Sequence, residues 1–249
     1  MTAPLLKVAN ATVRFGGLTA VDDVSFEVRH GELLGLIGPN GAGKTTALRS
    51  VTGVVTLTSG TVELDGERID RLPIEKRIRK GLALSQQLVK PLREMSIIEN
   101  VALAAGSCKT RSPLIALCNT SIEAESHIAR EMLDLVGISA HADQRPGIQP
   151  LGVLKRLEMA RALAQRPKLL LLDEPLAGLN STEARALAST IDKVNKNGMT
   201  VVLIEHNLGE VLRVCHRLVV LDNGRKIADG EPRAVMNDPQ VRAAYLGGD

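Results

Sequence analysis

The chain has 249 residues, enough for one large domain or for one domain carrying a subdomain. A hydrophobic content of 44% and a charged content of 24% are ordinary for a globular protein, and a net charge of +3 is too small to specify an acidic partner. Two Phe, one Tyr and no Trp leave the core to Leu, Val, Ile and Ala and offer few platforms for base stacking, so no nucleic acid is expected as a partner.

No run reaches the roughly 18 uninterrupted apolar residues of a membrane span, and MTAPLLKVANATV lacks the basic start and apolar stretch of a signal peptide. The expectation is a cytoplasmic chain that meets a membrane only through a partner. Cys108, Cys118 and Cys215 are far apart and form no CxxC pair, which predicts reduced thiols rather than a zinc site or a disulfide frame.

Residues 5–36 cluster β-formers (LLKVANATVRF, AVDDVSFEV, LLGLIG) around a turn at His30-Gly31, which predicts an N-terminal sheet. A helix is expected from about Lys44 to Gly53. TVELDGERI reads as a hairpin turning at Asp65-Gly66, and the charge-rich ERIDRLPIEKRIRK as a solvated loop and short helix. From about 92 to 166 the pattern turns helical. Ser96 and Glu99 have the spacing of a capping box, as do Thr120 and Glu123, and Ile122, Ala129, Met132, Leu133 and Val136 share one helix face ending at Gly137. After 166, strand and helix alternate: LLLL, a helix from Ser181, TVVLI, a helix from Asn207, RLVVLD and RKIADG. Apolar strands alternating with helices predict an α/β fold with a mostly parallel, covered sheet.

Two segments carry chemistry. GPNGAGKTT, residues 38–46, follows the apolar strand LLGLI and precedes a helix, the setting that G-x-x-x-x-G-K-T requires. Gly38, Pro39, Asn40, Gly41, Ala42 and Gly43 form a loop whose backbone amides converge on phosphate oxygens at a helix N-terminus. Lys44 reaches the β- and γ-phosphates, Thr45 ligates Mg²⁺ through its hydroxyl, and Thr46 closes the motif. LLLLDEP, residues 169–175, places Asp173 at a strand end, where it can hold the Mg²⁺ shell. One residue on, the Glu174 carboxylate can orient an attacking water or take its proton. ATP and Mg²⁺ are the cofactors expected.

With a helical stretch between them, these motifs resemble the ATPase subunit of ATP-binding-cassette (ABC) transporters over essentially the whole chain. The resemblance implies a P-loop NTPase core, an N-terminal antiparallel β subdomain and an inserted α-helical subdomain at about 88–160, all within one domain, 1–249. Phe15 matches the aromatic that stacks on adenine. Gln87, with Gln86 beside it leaving the register open by one, matches the glutamine that touches Mg²⁺ or water and senses the membrane partner. AGLN, residues 177–180, matches the loop that crosses to a second subunit, with Asn180 where many relatives have Asp. His206 matches the histidine at the γ-phosphate. Glu174, His206 and Gln87 are thus the catalytic candidates, and Thr45, Gln87 and Asp173 the Mg²⁺ candidates, partly through water.

One segment departs from the family pattern. The helix before LLLLDEP should open with Leu-Ser-Gly-Gly-Gln, which binds the γ-phosphate of ATP held by the other subunit. Here Gln149, Pro150, Leu151, Gly152 and Val153 stand in those places, and only Gly152 matches. Pro150 removes a hydroxyl and an N–H donor, and Val153 removes a polar side chain. Hydrogen bonds to charged groups are worth about 1.5–3 kcal/mol each, so closure on the partner's ATP should be weakened. A heterodimer with an ATPase subunit carrying a complete segment is expected. The alternative is a homodimer in which Lys155 or Arg156 supplies charge.

RFGGLTAVDDVSFEV, LREMSIIENVAL, DEPLAGLNSTE and NDPQVRAAYLGG look like the ATPase of bacterial importers for branched-chain or other hydrophobic amino acids. Such systems imply transmembrane permease subunits, docked near Gln87 and Leu88–Asn100, and indirectly a periplasmic or extracellular substrate-binding protein. The chain would then sit peripherally on the cytoplasmic face of the inner membrane. Urea or amide importers, the lipopolysaccharide exporter, a soluble ABC ATPase and an ATP-binding switch without turnover are the alternatives.

Overall fold

The structure, a computed structural model, describes residues 3–85, 91–106 and 122–246. Gln86, Gln87, Cys108, Cys118 and Thr120 therefore lie outside the described residues.

Two sheets organise the fold. Strands β1 (Leu6–Phe15) and β2 (Leu18–Val28) form a hairpin. They join β4 (Ser59–Leu64) and β5 (Glu67–Arg68) in an antiparallel sheet of order β2-β1-β4-β5. The β4–β5 turn is Asp65-Gly66, both at positive φ, as a tight hairpin of this twist demands. The third N-terminal strand, β3 (Leu33–Ile37), does not stay with the first two, as the expectation of one N-terminal sheet had it. LLGLI is buried on both faces, a pattern that only a covered central strand can use.

That second sheet has the order β10-β9-β3-β8-β7-β6, with β6 (Leu82–Ser85), β7 (Leu169–Asp173), β8 (Thr200–Ile204) and β9 (Arg217–Asp222) parallel to β3. Only β10 (Arg225–Gly230) runs antiparallel. Side chains along these strands alternate between two cores. Leu33, Leu170, Leu172, Val201, Leu203 and Val220 face a helical layer. Leu34, Leu36, Leu169, Leu171, Val202 and Val219 face the antiparallel sheet and helix α1 (Lys44–Thr52). Each fully buried Leu or Val contributes about 1.5–3 kcal/mol, so aliphatic side chains alone can hold both layers. Phe26 is the one aromatic in the core.

The helical layer contains α3 (Ile97–Gly106), α4 (Ile122–Leu135) and α5 (Leu151–Ala164), which pack on one another. The Ser96–Glu99 capping box is present, with reciprocal bonds of 2.7 and 3.3 Å. Ala129, Leu133 and Val136 of α4 and its C-terminal turn are buried, and Gly137 ends the helix at φ 73°. Helices α6 (Ser181–Lys196) and α7 (Leu208–Val214) complete the parallel crossovers. Two short helices missed in the sequence, α8 (Pro232–Asn237) and α9 (Pro239–Leu246), carry the C-terminus.

The charge-rich stretch after β5 is only partly the solvated segment expected. Helix α2 (Ile74–Arg79) turns Arg77 inward, where it is 4% exposed. Its guanidinium donates to the carbonyls of Ser50 and Val51 at the end of α1 and to those of Asp70 and Leu72. Arg77 thus satisfies carbonyls that a helix end leaves without partners. Cys215 is free and buried, and burial pushes its thiol well above the ordinary range, so it is held as an unreactive thiol.

Candidate active site

The carboxyl ends of β3, β8 and β7 lie side by side, and the residues after each strand form one site. Open α/β sheets place ligands at this edge. After β3, the loop Gly38–Gly43 leads into α1 with Gly43 left-handed at the helix start. Only glycine fits twice: a Cβ on Gly38 would sit 2.0 Å from the Leu221 carbonyl oxygen, and one on Gly43 would sit 2.3 Å from that of Ala20. The contact with Ala20 also brings β2 against the loop. The hairpin end that carries Phe15 is near, and Phe15 is 52% exposed, available for stacking rather than used in the core.

Lys44 is buried, and its Nζ donates to the Gly38 and Pro39 carbonyls at 2.9 and 2.8 Å. Burial pushes its pKa down, while the Glu174 and Asp173 carboxylates pull it back up. Thr45 Oγ1 donates to Asp173 Oδ1 at 3.1 Å, joining the first turn of α1 to the end of β7. Asp173 is buried, and burial raises its pKa against the opposing pull of the Thr45 hydroxyl. A hydroxyl and a buried carboxylate in contact, beside a phosphate-binding helix start, fit Mg²⁺. The ion takes one or two protein oxygens and completes its shell with phosphate and water. Among the described residues no cluster of three His, Cys, Asp or Glu offers a metal an all-protein cage.

Glu174 has φ 51°, a left-handed conformation that costs a non-glycine residue about 1–3 kcal/mol and marks functional turns. Its amide donates to the Ile204 carbonyl at 2.9 Å, and its Oε1 lies 2.8 Å from His206 Nε2. It does not sit at a helix start. The next helix, α6, begins at Ser181 and is capped by Asn180, whose side chain accepts from the Glu183 amide. The Asn180 side chain is therefore a helix cap, worth about 1 kcal/mol.

Pro150 is the N-cap of α5, one position before its first turn, and supplies no side-chain cap. Its carbonyl accepts from the Val153 and Leu154 amides. Gln149 Nε2 donates to Gln144 Oε1 at 2.8 Å, while Ile148 and Leu151 are exposed. Leu151 packs near Gly178 in the loop after Glu174. Lys155, one of the two residues offered to supply charge in a homodimer, does not extend from this segment. It is buried facing Glu205, Glu174 and Glu158, and Arg156 donates to the Val136 carbonyl.

Sequence reading overlooked Glu205. It is buried beside His206, and its only signal was a charged residue directly after an apolar strand. It also overlooked Tyr245 on α9, whose phenol is raised to about 12 by burial, partly offset by the Gly38 backbone beside it.

Residues 21–177 match the ABC transporter family, and residues 225–249 match a second family described as branched-chain amino acid ATP-binding cassette transporter. The chain is 38% identical to the high-affinity branched-chain amino acid transport ATP-binding protein BraF of Pseudomonas aeruginosa, over 99% of each chain. It is 34% identical to the lipopolysaccharide export system ATP-binding protein LptB of Escherichia coli, over 98% of each. Among solved structures, the ADP conformation of an ATP-binding cassette of an ABC transporter superposes with a TM-score of 0.84 at 31% identity, over 99% of this chain and 100% of that one. A dimeric post-hydrolysis cassette bound to ADP and Pi gives 0.78 at 25%, over 92% and 99%. With the strand-end site above, these matches place the chain in the ABC transporter family.

Proposed function

We propose that the chain is the ATP-binding and ATP-hydrolysing subunit that powers a membrane importer for branched-chain or other hydrophobic amino acids. The observation that carries the chemistry is the meeting of Lys44, Thr45, Asp173, Glu174 and His206 at the ends of three adjacent strands. Lys44 and the loop amides hold the phosphates. Thr45 and Asp173 would hold Mg²⁺, which would supply neutralisation of the phosphate charge. The Glu174 carboxylate orients a water and accepts its proton as the water oxygen attacks the γ-phosphorus. The bond to the ADP oxygen breaks, and the products are ADP and phosphate. His206 steadies Glu174 and contacts the γ-phosphate, and Phe15 stacks on adenine. We read residues 1–249 as one ATPase domain with the helical subdomain at about 88–160.

The working unit is a dimer whose second ATPase subunit carries a complete Leu-Ser-Gly-Gly-Gln segment. Support comes from Gln149–Val153, which present a proline N-cap and an exposed Leu151, with exposed Ile148 just before them, where the family places donors. The burial of Lys155, and the bond of half-buried Arg156 to the Val136 carbonyl, further disfavour a homodimer. The permeases dock by the helical layer. Leu92 and Leu103 are exposed there, and a cavity of about 690 Å³ is lined by Met95, Ile98, Ala102 and Glu125. Among the described residues no helix is long and apolar enough to cross a membrane; bound to its permeases, the chain would sit peripherally on the cytoplasmic face of the inner membrane. The substrate-binding protein acts from the far side. Amino-acid import is favoured over lipopolysaccharide export by the C-terminal match at 225–249.

The test is phosphate release by the purified chain alone and mixed with a second cassette bearing the complete segment. Turnover should rise at least tenfold on mixing. Equal turnover alone and mixed contradicts the heterodimer and leaves a homodimeric ATPase.

A further inference from the structure

Glu205 is 4% exposed and sits directly before His206. Its Oε1 accepts from the Leu176 amide at 2.5 Å and its Oε2 from the His206 amide at 3.1 Å. Leu176 lies two residues beyond Glu174, so one carboxylate ties together the backbones that carry both members of the His206–Glu174 pair. Burial raises the pKa of Glu205, and the amides of Leu176, His206 and Asn207 oppose that rise. A buried charge is tolerated only with hydrogen bonds and an opposite charge near it. Lys155 on α5, itself only 6% exposed, is a buried cation on which the Glu205 carboxylate acts. Burial pushes the Lys155 pKa down, and the Glu205, Glu174 and Glu158 carboxylates pull it back up. Lys155 lies on the helix that opens with the Gln149–Val153 segment, which the proposed function turns toward a partner subunit.

We propose that Glu205 is a positioning residue for ATP hydrolysis. Its carboxylate fixes the Leu176 and His206 backbones so that Glu174 and His206 stay paired, and Lys155 couples the position of α5 to that pair. A displacement of α5 by the partner's nucleotide moves a cation against the group that orients this chain's own catalytic carboxylate. The proposal rests on Glu174 and His206 being the hydrolytic residues.

The test uses the full chain in the assembly that turns over ATP. Glu205→Gln keeps the shape but presents an amide where an amide N–H needs an acceptor. It should lower kcat about ten- to a hundredfold, the scale of a small misplacement of a reacting group, with KM for ATP within about twofold. Lys155→Met should lower kcat similarly, Lys155→Arg should restore most of it, and the double variant should fall no further than the worse single variant. The proposal is overturned if Glu205→Gln and Lys155→Met keep wild-type kcat while Glu174→Gln abolishes it, or if the double variant shows the product of the two single losses. Should Glu205→Gln fail to fold, the Lys155 pair decides, and equal kcat in Met and Arg variants overturns the coupling. Undiminished turnover in Glu174→Gln is a different result and removes the hydrolytic reading beneath.

Discussion

His206 Nε2 lies 2.8 Å from Glu174 Oε1, a contact made by residues following β8 and β7, neighbouring strands whose registers align Asp173 with Ile204. The contact fixes a carboxylate that is in left-handed backbone and partly open to solvent. Glu174→Gln keeps the shape but cannot take a proton. It should reduce steady-state phosphate release by about 10²–10⁴-fold, the usual contribution of a general base, while binding of ATP stays within about threefold. Retained hydrolysis would show that another group activates the water.

Asp173 gives a pH signature. Burial raises its pKa, with the Thr45 hydroxyl, Arg49 and Lys44 pulling the other way. A carboxyl whose folded pKa is raised contributes stability that is full below its unfolded value, near about 4, and is lost as pH rises through the folded value. At neutral pH the ionised Asp173 therefore costs the chain stability. Asp173→Asn, which keeps an oxygen for Thr45, should raise the melting temperature at about pH 7.5 and lose that advantage as the pH falls through the raised folded value toward the ordinary one, near about 4. It should also lose the stabilisation that Mg²⁺ adds to bound ATP. Melts followed by circular dichroism decide, and a lower melting temperature at pH 7.5 contradicts the account.

Arg77 holds the far end of the phosphate-binding helix through the Ser50 and Val51 carbonyls. Truncating it to Ala leaves several carbonyls without their charged donor, a loss of about 3 kcal/mol. For a chain of this size that lowers the melting temperature by about 6–12 °C. Lys, a single point donor, should recover only part of this. A shift below about 2 °C would show that water replaces the guanidinium without loss.

Tyr245 is the one tyrosine of a chain without tryptophan, which makes its titration directly readable. Its raised folded value of about 12 means a stabilising contribution that is full below its unfolded value, near about 10, and lost as pH rises through about 12. At about pH 11 the native chain should show little phenolate absorbance, and the chain in denaturant should show it fully. Equal ionisation in both would place the ring in solvent.

The sequence made the phosphate loop, the Asp173–Glu174 strand end and the parallel sheet legible, because each rests on local rules. Apolar runs without alternation signal covered strands, and Gly and Lys spacing signals a phosphate cradle. What escaped was non-local. β3 left its neighbours in sequence because pairing with β8 and β9 buries both of its faces. Arg77 looked like one more surface charge until the end of α1, 26 residues earlier, supplied its acceptors. Glu205 and Lys155 are 50 residues apart and make sense only once α5 packs beneath the strand ends. Gln87 lies outside the described residues, and its role stays a proposal drawn from the family pattern.

The central claim is that Gln149–Val153 cannot close on ATP in a second copy of this chain. The most direct measurement is light scattering of purified Glu174→Gln protein, alone, with and without ATP and Mg²⁺. The account predicts a monomer that binds ATP and dimerises only when a cassette with a complete segment is added. An ATP-dependent dimer of this chain by itself would contradict it and make both sites of a homodimer serviceable.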